Sequence, residues 1–145
     1  MLFRMAMGIW RDLGWSDPAT RLVERIVAAV GARDFPALRP LLADDIALVD
    51  SMGEAVRGKD AVVLLLERLV AYDPEFQIHI EDMTLYEDYV LLTGSTTGTH
   101  HQSAQRTLWK LLLRDGRVAE WRSYSNERPQ PFVKLLMNGE PKAVA

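Results

Sequence analysis

The sequence predicts an α+β domain in which three N-terminal helices cover one face of a curved antiparallel sheet. Three observations lead there. Apolar residues recur at helical spacing as far as Tyr72, and after Asp73-Pro74 the pattern changes to period two and keeps it. The length, 145 residues with 48% hydrophobic and 26% charged, suits one domain with a sizeable core.

The first helix starts at Asp17-Pro18, where the aspartate caps free amides and the proline fits the first helical position. It runs to about Gly31 with Leu22, Val23, Ile26, Val27 and Val30 inward. A second, short helix begins near Asp34, carries Phe35, Leu38, Leu41 and Leu42 inward, and stops at Ala43-Asp44-Asp45. Ile46 to Asp50 reads as a short strand and Ser51 to Glu54 as a loop. A third helix, apolar on most sides, spans about Lys59 to Tyr72.

Four strands rich in threonine, aliphatic and aromatic residues follow. Phe76 to Tyr86 pairs through Glu87-Asp88 with Tyr89 to His100, and Ala104 to Arg114 pairs through Asp115-Gly116 with Val118 to Asn126. Pro129 and Pro131 end the last strand, and Phe132 to Met137 forms a closing helical turn. The expected division is an extension at 1–16, the domain at 17–128 and a tail with a short helix at 129–145.

Seventeen Lys plus Arg against twenty Asp plus Glu leave a net charge of −3, so the basic excess that phosphate backbones require is missing. A nucleic-acid partner is not expected. The absence of cysteine rules out disulfides, thiolate metal sites and thiol nucleophiles, and it suits a reducing cytoplasm. The longest apolar run, Ala61 to Leu66, falls far short of the ~20 residues that cross a bilayer, so no membrane partner is expected either. In the first fifteen residues Arg11 and Asp12 interrupt any signal-like core.

There is no phosphate-cradling glycine loop, dinucleotide fingerprint or HExxH motif, and Gly94-Ser95-Thr96-Thr97-Gly98 has the wrong spacing for a nucleophile elbow. His100 and His101 are adjacent and point to opposite faces, so they make no metal pair. No metal and no cofactor are expected. Asp50 closes an apolar strand, Ala47-Leu48-Val49, so its carboxylate either faces a pocket mouth as a partly desolvated base or caps the turn at Ser51-Met52-Gly53. His79 is a proton carrier if it points inward, although alternation gives the core side to Ile78 and Ile80. Leu108 and Leu112 alternate with Trp109 and Leu111, which leaves apolar residues on the uncovered face and points to a homodimer through the outer sheet.

The stretch from Arg25 through Asp34-Phe35-Pro36 to Asp44-Asp45, followed by a strand, a loop and Arg57-Gly58-Lys59-Asp60-Ala61, resembles the opening of the nuclear transport factor 2 fold. Gly98-Thr99-His100 and Asp115-Gly116-Arg117-Val118-Ala119-Glu120-Trp121-Arg122 are similar to the sheet of its SnoaL-like polyketide cyclase branch. The resemblance spans about 17–128 and implies a cone-shaped α+β barrel with a hydrophobic pocket. The superfamily includes ketosteroid isomerases, polyketide cyclases, dehydratases, epoxide hydrolases and proteins without catalysis.

Position by position, the resemblance puts the isomerase general base on Asp50, the oxyanion-hole tyrosine on Ile26 and the second acid at or beside Trp109. It puts the catalytic aspartate of the cyclase and epoxide-hydrolase branches on Ser123. Two of these positions thus carry side chains unable to do the family's chemistry. With the register so implied, Trp109, Trp121, Ser123 and Ser125 line the pocket with Ile26 and Leu66, or else they belong to an ordinary filled core. The implied function is binding of an apolar, oxygen-bearing molecule, steroid- or polyketide-like. With Asp50 as base the protein is a cofactor-independent isomerase, cyclase or dehydratase; without it, a non-catalytic binding or dimeric interaction module.

Overall fold

Aspartates open both of the first helices. In the computed structural model, which describes Leu2–Phe3 and residues 17–99, 105–125 and 133–138, Asp17 accepts the Ala19 amide at 2.6 Å and starts helix α1, Pro18–Gly31. The buried stripe of α1 is Leu22, Val23, Ile26, Ala29 and Val30. Asp34 accepts the Ala37 amide at 3.1 Å and starts α2, Phe35–Leu38. Between them Arg33 turns the chain with a positive φ of 60° and its guanidinium donates to the Val30 and Pro74 carbonyls.

The second helix ends earlier than its sequence suggests. After Leu38 the chain tightens into a 3-10 turn, Arg39–Leu41, and strand β2 already begins at Leu42 and runs to Val49. Pro40, which has no amide hydrogen, lies in that turn. Leu42 pairs with Val118, and a bulge before Ala47 turns Asp44 and Asp45 outward while Leu42, Ala43 and Ile46 stay buried. The two aspartates then meet Lys59, at 3.1 Å, and Arg114. A short strand β3, Ala55–Arg57, pairs back on β2, an element not foreseen in the sequence. Helix α3 spans Lys59–Tyr72 as expected and buries Val62, Val63, Leu65 and Leu69.

The period-two half forms β4 (Gln77–Leu85), β5 (Tyr89–Thr97), β6 (Gln105–Arg114) and β7 (Arg117–Ser125). The expected strand ends at His100, Ala104 and Asn126 lie outside the described residues. Positive φ at both Asp115 and Gly116 makes the tight hairpin that an Asp-Gly pair favours. With β1 (Leu2–Phe3) the sheet order is β1-β4-β5-β6-β7-β2-β3, antiparallel except where β2 runs parallel beside β7. Of the expected extension at 1–16 only Leu2 and Phe3, paired with Thr84 and Met83, are described. At Gly94 a Cβ would overlap the His79 carbonyl, because β4 bulges toward its neighbour after Ile80. The sheet curves without closing, and α1 and α3 fill its concave side to give a cone-shaped α+β fold.

The core lies inside the cone, with Val23, Leu92, Leu111 and Val118 fully enclosed. Of the expected C-terminal turn, Lys134–Asn138 forms a π-helical segment; Val133 and Leu136 join the core, and Arg68 donates to the Leu136 carbonyl at 2.8 Å.

Candidate functional site: an apolar cavity in the cone

Between α1, α3 and the concave face of the sheet lies a cavity of about 100 Å³. Its helical side is aliphatic, with Ile26 of α1 and Leu65, Leu66 and Leu69 of α3. Strand alternation supplies the opposite wall: Ile46 and Leu48 from β2, Trp109 from β6, Trp121 and Ser123 from β7. The register that pairs Trp109 with Ser123 and Leu48 with Trp121 makes these side chains neighbours. The two indoles meet edge to face with ring centres 6.3 Å apart, an arrangement favoured by their quadrupoles. Ile26, Leu66, Trp109, Trp121 and Ser123, chosen from the sequence, thus line one cavity, the first two from the helices and the other three from the sheet.

Three other chosen residues stand elsewhere. Asp50 is buried, at 3% exposure, but it does not face the cavity. Its Oδ1 accepts the amides of Met52 at 2.9 Å and Glu54 at 3.0 Å, and its Oδ2 accepts the Val133 amide at 3.0 Å. These bonds cap the turn after β2, the second of the two positions expected for Asp50, and the position at the pocket mouth is corrected. Enclosed backbone donors must be satisfied, and this carboxylate is the acceptor that ties the β2–β3 turn to the C-terminal segment. Ser125, half-buried opposite Thr107, lies past the point where the wall leaves β7. His79 is exposed on the convex face with Nε2 3.0 Å from Thr97 Oγ1, while its neighbour Ile78 reaches the cavity.

Thr96 completes the wall on β5, and the sequence reading passed over it. Its signal was the inward phase it shares with Leu92 and Gly94. Asp73 was also passed over as a helix end. It is fully buried, accepts the Thr99 amide at 2.8 Å, and packs where a Cβ at Gly98 would overlap its carboxylate.

No ionisable side chain lines the cavity among the described residues; the lining residues with polar side-chain atoms are Thr96, Ser123 and the two tryptophans. Among the same residues no cluster of His, Asp or Glu could hold a metal ion. The indole N–H groups of Trp109 and Trp121 and the Ser123 hydroxyl make no hydrogen bond among the described residues. Yet no fully enclosed side-chain nitrogen or oxygen lacks a partner among the described residues, so these three groups border open space. Trp109 is only 4% exposed and lines the cavity.

The sequence profile of the SnoaL-like domain matches residues 23–121, a span that holds every lining residue except Ser123. The chain belongs to the SnoaL-like domain family. No curated protein sequence matches it. Solved structures share the fold: a candidate polyketide cyclase from Sinorhizobium meliloti is 18% identical with a TM-score of 0.67, covering 74% of this chain and 99% of its own. An LEH-like epoxide hydrolase from M. tuberculosis is 22% identical with a TM-score of 0.64, covering 88% of this chain and 95% of its own. A Catenulispora acidiphila protein with a ketosteroid isomerase-like fold, in complex with trimethylamine, is 20% identical with a TM-score of 0.64, covering 73% and 85%. At these identities the likeness is one of fold, so what this SnoaL-like chain does must be argued from its own cavity.

Proposed function

We propose that this SnoaL-like protein binds a small, neutral, apolar molecule carrying an oxygen inside the cone, and that Asp50 serves the fold rather than proton transfer. The observation that carries the reading is the cavity wall: apolar, with hydroxyl and indole groups but no ionisable side chain, while both Asp50 oxygens are engaged by backbone amides. A base must reach the proton it removes, and none of these side chains is one. The volume narrows the ligand class. Pockets for drug-sized ligands run to roughly 300–1,000 Å³, so about 100 Å³ suits one small ring or a short chain better than a steroid skeleton.

The test is deuterium exchange at the α-carbons of cyclopentanone in heavy water, followed by proton NMR with and without protein. This reading expects saturable binding, and exchange no faster than in buffer. Accelerated exchange that disappears in Asp50→Asn would instead establish an acid–base isomerase or lyase with Asp50 as base.

We further propose that two copies of the chain, in the cytoplasm, pair through the convex face of the sheet. That face holds Leu91, Leu108 and Leu112 half-buried with no helix over them among the described residues, and it carries both charge signs, Lys110 and Arg122 beside Glu120. A surface of mixed sign is complementary to itself across a two-fold axis.

A further inference from the structure

Two charged side chains hold the C-terminal segment. One is Asp50, two residues beyond the cavity-lining Leu48, which accepts the Val133 amide through Oδ2 at 3.0 Å. The other is Arg68 of α3, set in sequence between the lining residues Leu66 and Leu69. Its guanidinium donates to the Leu136 carbonyl at 2.8 Å and lies 3.8 Å from the Met137 sulfur. Residues 133–136 therefore bridge β2, which supplies Ile46 and Leu48 to one wall of the cavity, and α3, which supplies Leu65, Leu66 and Leu69 to the other. Val133 and Leu136 are 3% and 7% exposed and join the core to which Leu65 and Leu69 belong.

The bridge is fastened differently from the walls. Those are mostly helix and laddered strand, which part only when their backbone bonds break. The segment 133–138 belongs to no ladder among the described residues, and both fastenings involve an ionised side chain. Such bonds are roughly twice as strong as neutral ones, yet each charge regains water when the bond opens. An element joined to its neighbours in this way opens locally while the rest of the fold stays intact.

We infer that residues 133–138 are a strap over the cavity, latched by Asp50 and Arg68, and that a ligand enters and leaves when the strap swings out. The inference rests on the cone being the ligand site, as proposed above. It makes Asp50 and Arg68 positioning residues that touch no ligand and set the rate of exchange rather than the affinity, because a gate scales entry and exit alike.

The test follows 4-fluorophenol, a neutral single ring with an oxygen, by fluorine NMR, which gives its Kd and its release rate. The decisive variant is Arg68→Met, which keeps an apolar stem and a good helix former and removes the donor. It leaves the Asp50–Val133 bond in place, so hydrogen exchange at the Val133 amide reports strap opening independently. Loss of one charge-assisted bond should speed release, entry and Val133 exchange by a common factor of roughly ten, with Kd held within about twofold. Asp50→Asn keeps an oxygen for the Met52 and Glu54 amides and turns an NH2 group toward Val133, so it should speed release and entry in the same way.

If Val133 exchange rises in Arg68→Met while release and entry stay as in the wild type, the strap is no gate and the cavity remains a ligand site. A release rate that rises with no change in entry, so that Kd weakens by the same factor, overturns the gate by making the segment part of the binding surface. Unchanged Val133 exchange overturns the latch. If 4-fluorophenol does not bind the wild-type protein at millimolar concentration, the inference falls together with the reading it rests on.

Discussion

The two faces of strand β6 differ by one residue step and by almost everything else. Trp109 and Leu111 point into the cone, 4% and 0% exposed, one on the cavity wall and the other in packed core. Leu108 and Leu112 point the other way, half-buried among Tyr89, Tyr124 and the stem of Lys110, whose ammonium lies 4.7 Å over the Tyr89 ring. Both faces are apolar for different reasons. The concave residues are covered by helices of their own chain, while among the described residues the convex ones shelter one another, with cation–π and ion-pair contacts between them. Apolar side chains on both faces of a strand therefore say that it is central, and only the cover over each face says what that face does.

The sharpest way to break the comparison is truncation on either side. Leu111→Ala should cost about 2–5 kcal/mol, because a fully enclosed leucine leaves a void. Leu112→Ala should cost under ~1 kcal/mol in a monomer. Denaturant melts of the two variants at low protein concentration measure the gap. Equal losses would mean that the convex face is as fully covered as the core, which would itself be strong support for the proposed dimer.

Asp50 is the next most sensitive position. Asp50→Ala strands three backbone donors from two separate segments and should destabilise by about 1–3 kcal/mol. Hydrogen exchange should rise at the Met52, Glu54 and Val133 amides in particular. Unchanged protection at Val133 would show that the C-terminal segment is held by Leu136 and Arg68 without this carboxylate.

The convex face has its own test in association. Leu108→Lys with Leu112→Lys places two more ammonium groups beside Lys110 and Arg122, and the sedimentation coefficient should fall from dimer to monomer without loss of the fold. A protein that is monomeric before the change, or dimeric after it, removes the sheet-face interface.

What was legible in the sequence follows the strength of local signals. Asp17-Pro18 and Asp115-Gly116 each need one backbone geometry, and both gave it. The start of β2 was missed because Leu41 and Leu42 continue the helical spacing of Phe35 and Leu38. What overrides that pattern is tertiary: the pairing of Leu42 with Val118, 76 residues away in number. The wall residues were legible through register once the fold was known, since alternation along β6 and β7 leaves little choice. Asp50 was legible as a cap of its own turn, whereas its third partner, Val133, lies 83 positions on and was not. Asp73 gave no signal at all, since Asp-Pro after a helix reads the same whether the carboxylate faces water or is enclosed beneath Gly98.

The smallest expected effect completes the comparison of faces. His79 sits on the convex side of β4 and touches Thr97, not the cavity, so His79→Ala should change stability by no more than ~0.5 kcal/mol. It should leave the Kd for cyclopentanone unchanged at every pH at which the protein is folded. The adjacent Ile78 is the contrast, because its side chain lines the cavity. Ile78→Ala enlarges the space and should alter ligand affinity and stability together. If His79→Ala alone shifted ligand affinity, the two faces of the sheet would be coupled through β4, whose bulge after Ile80 is the place where a change on one side could reach the other.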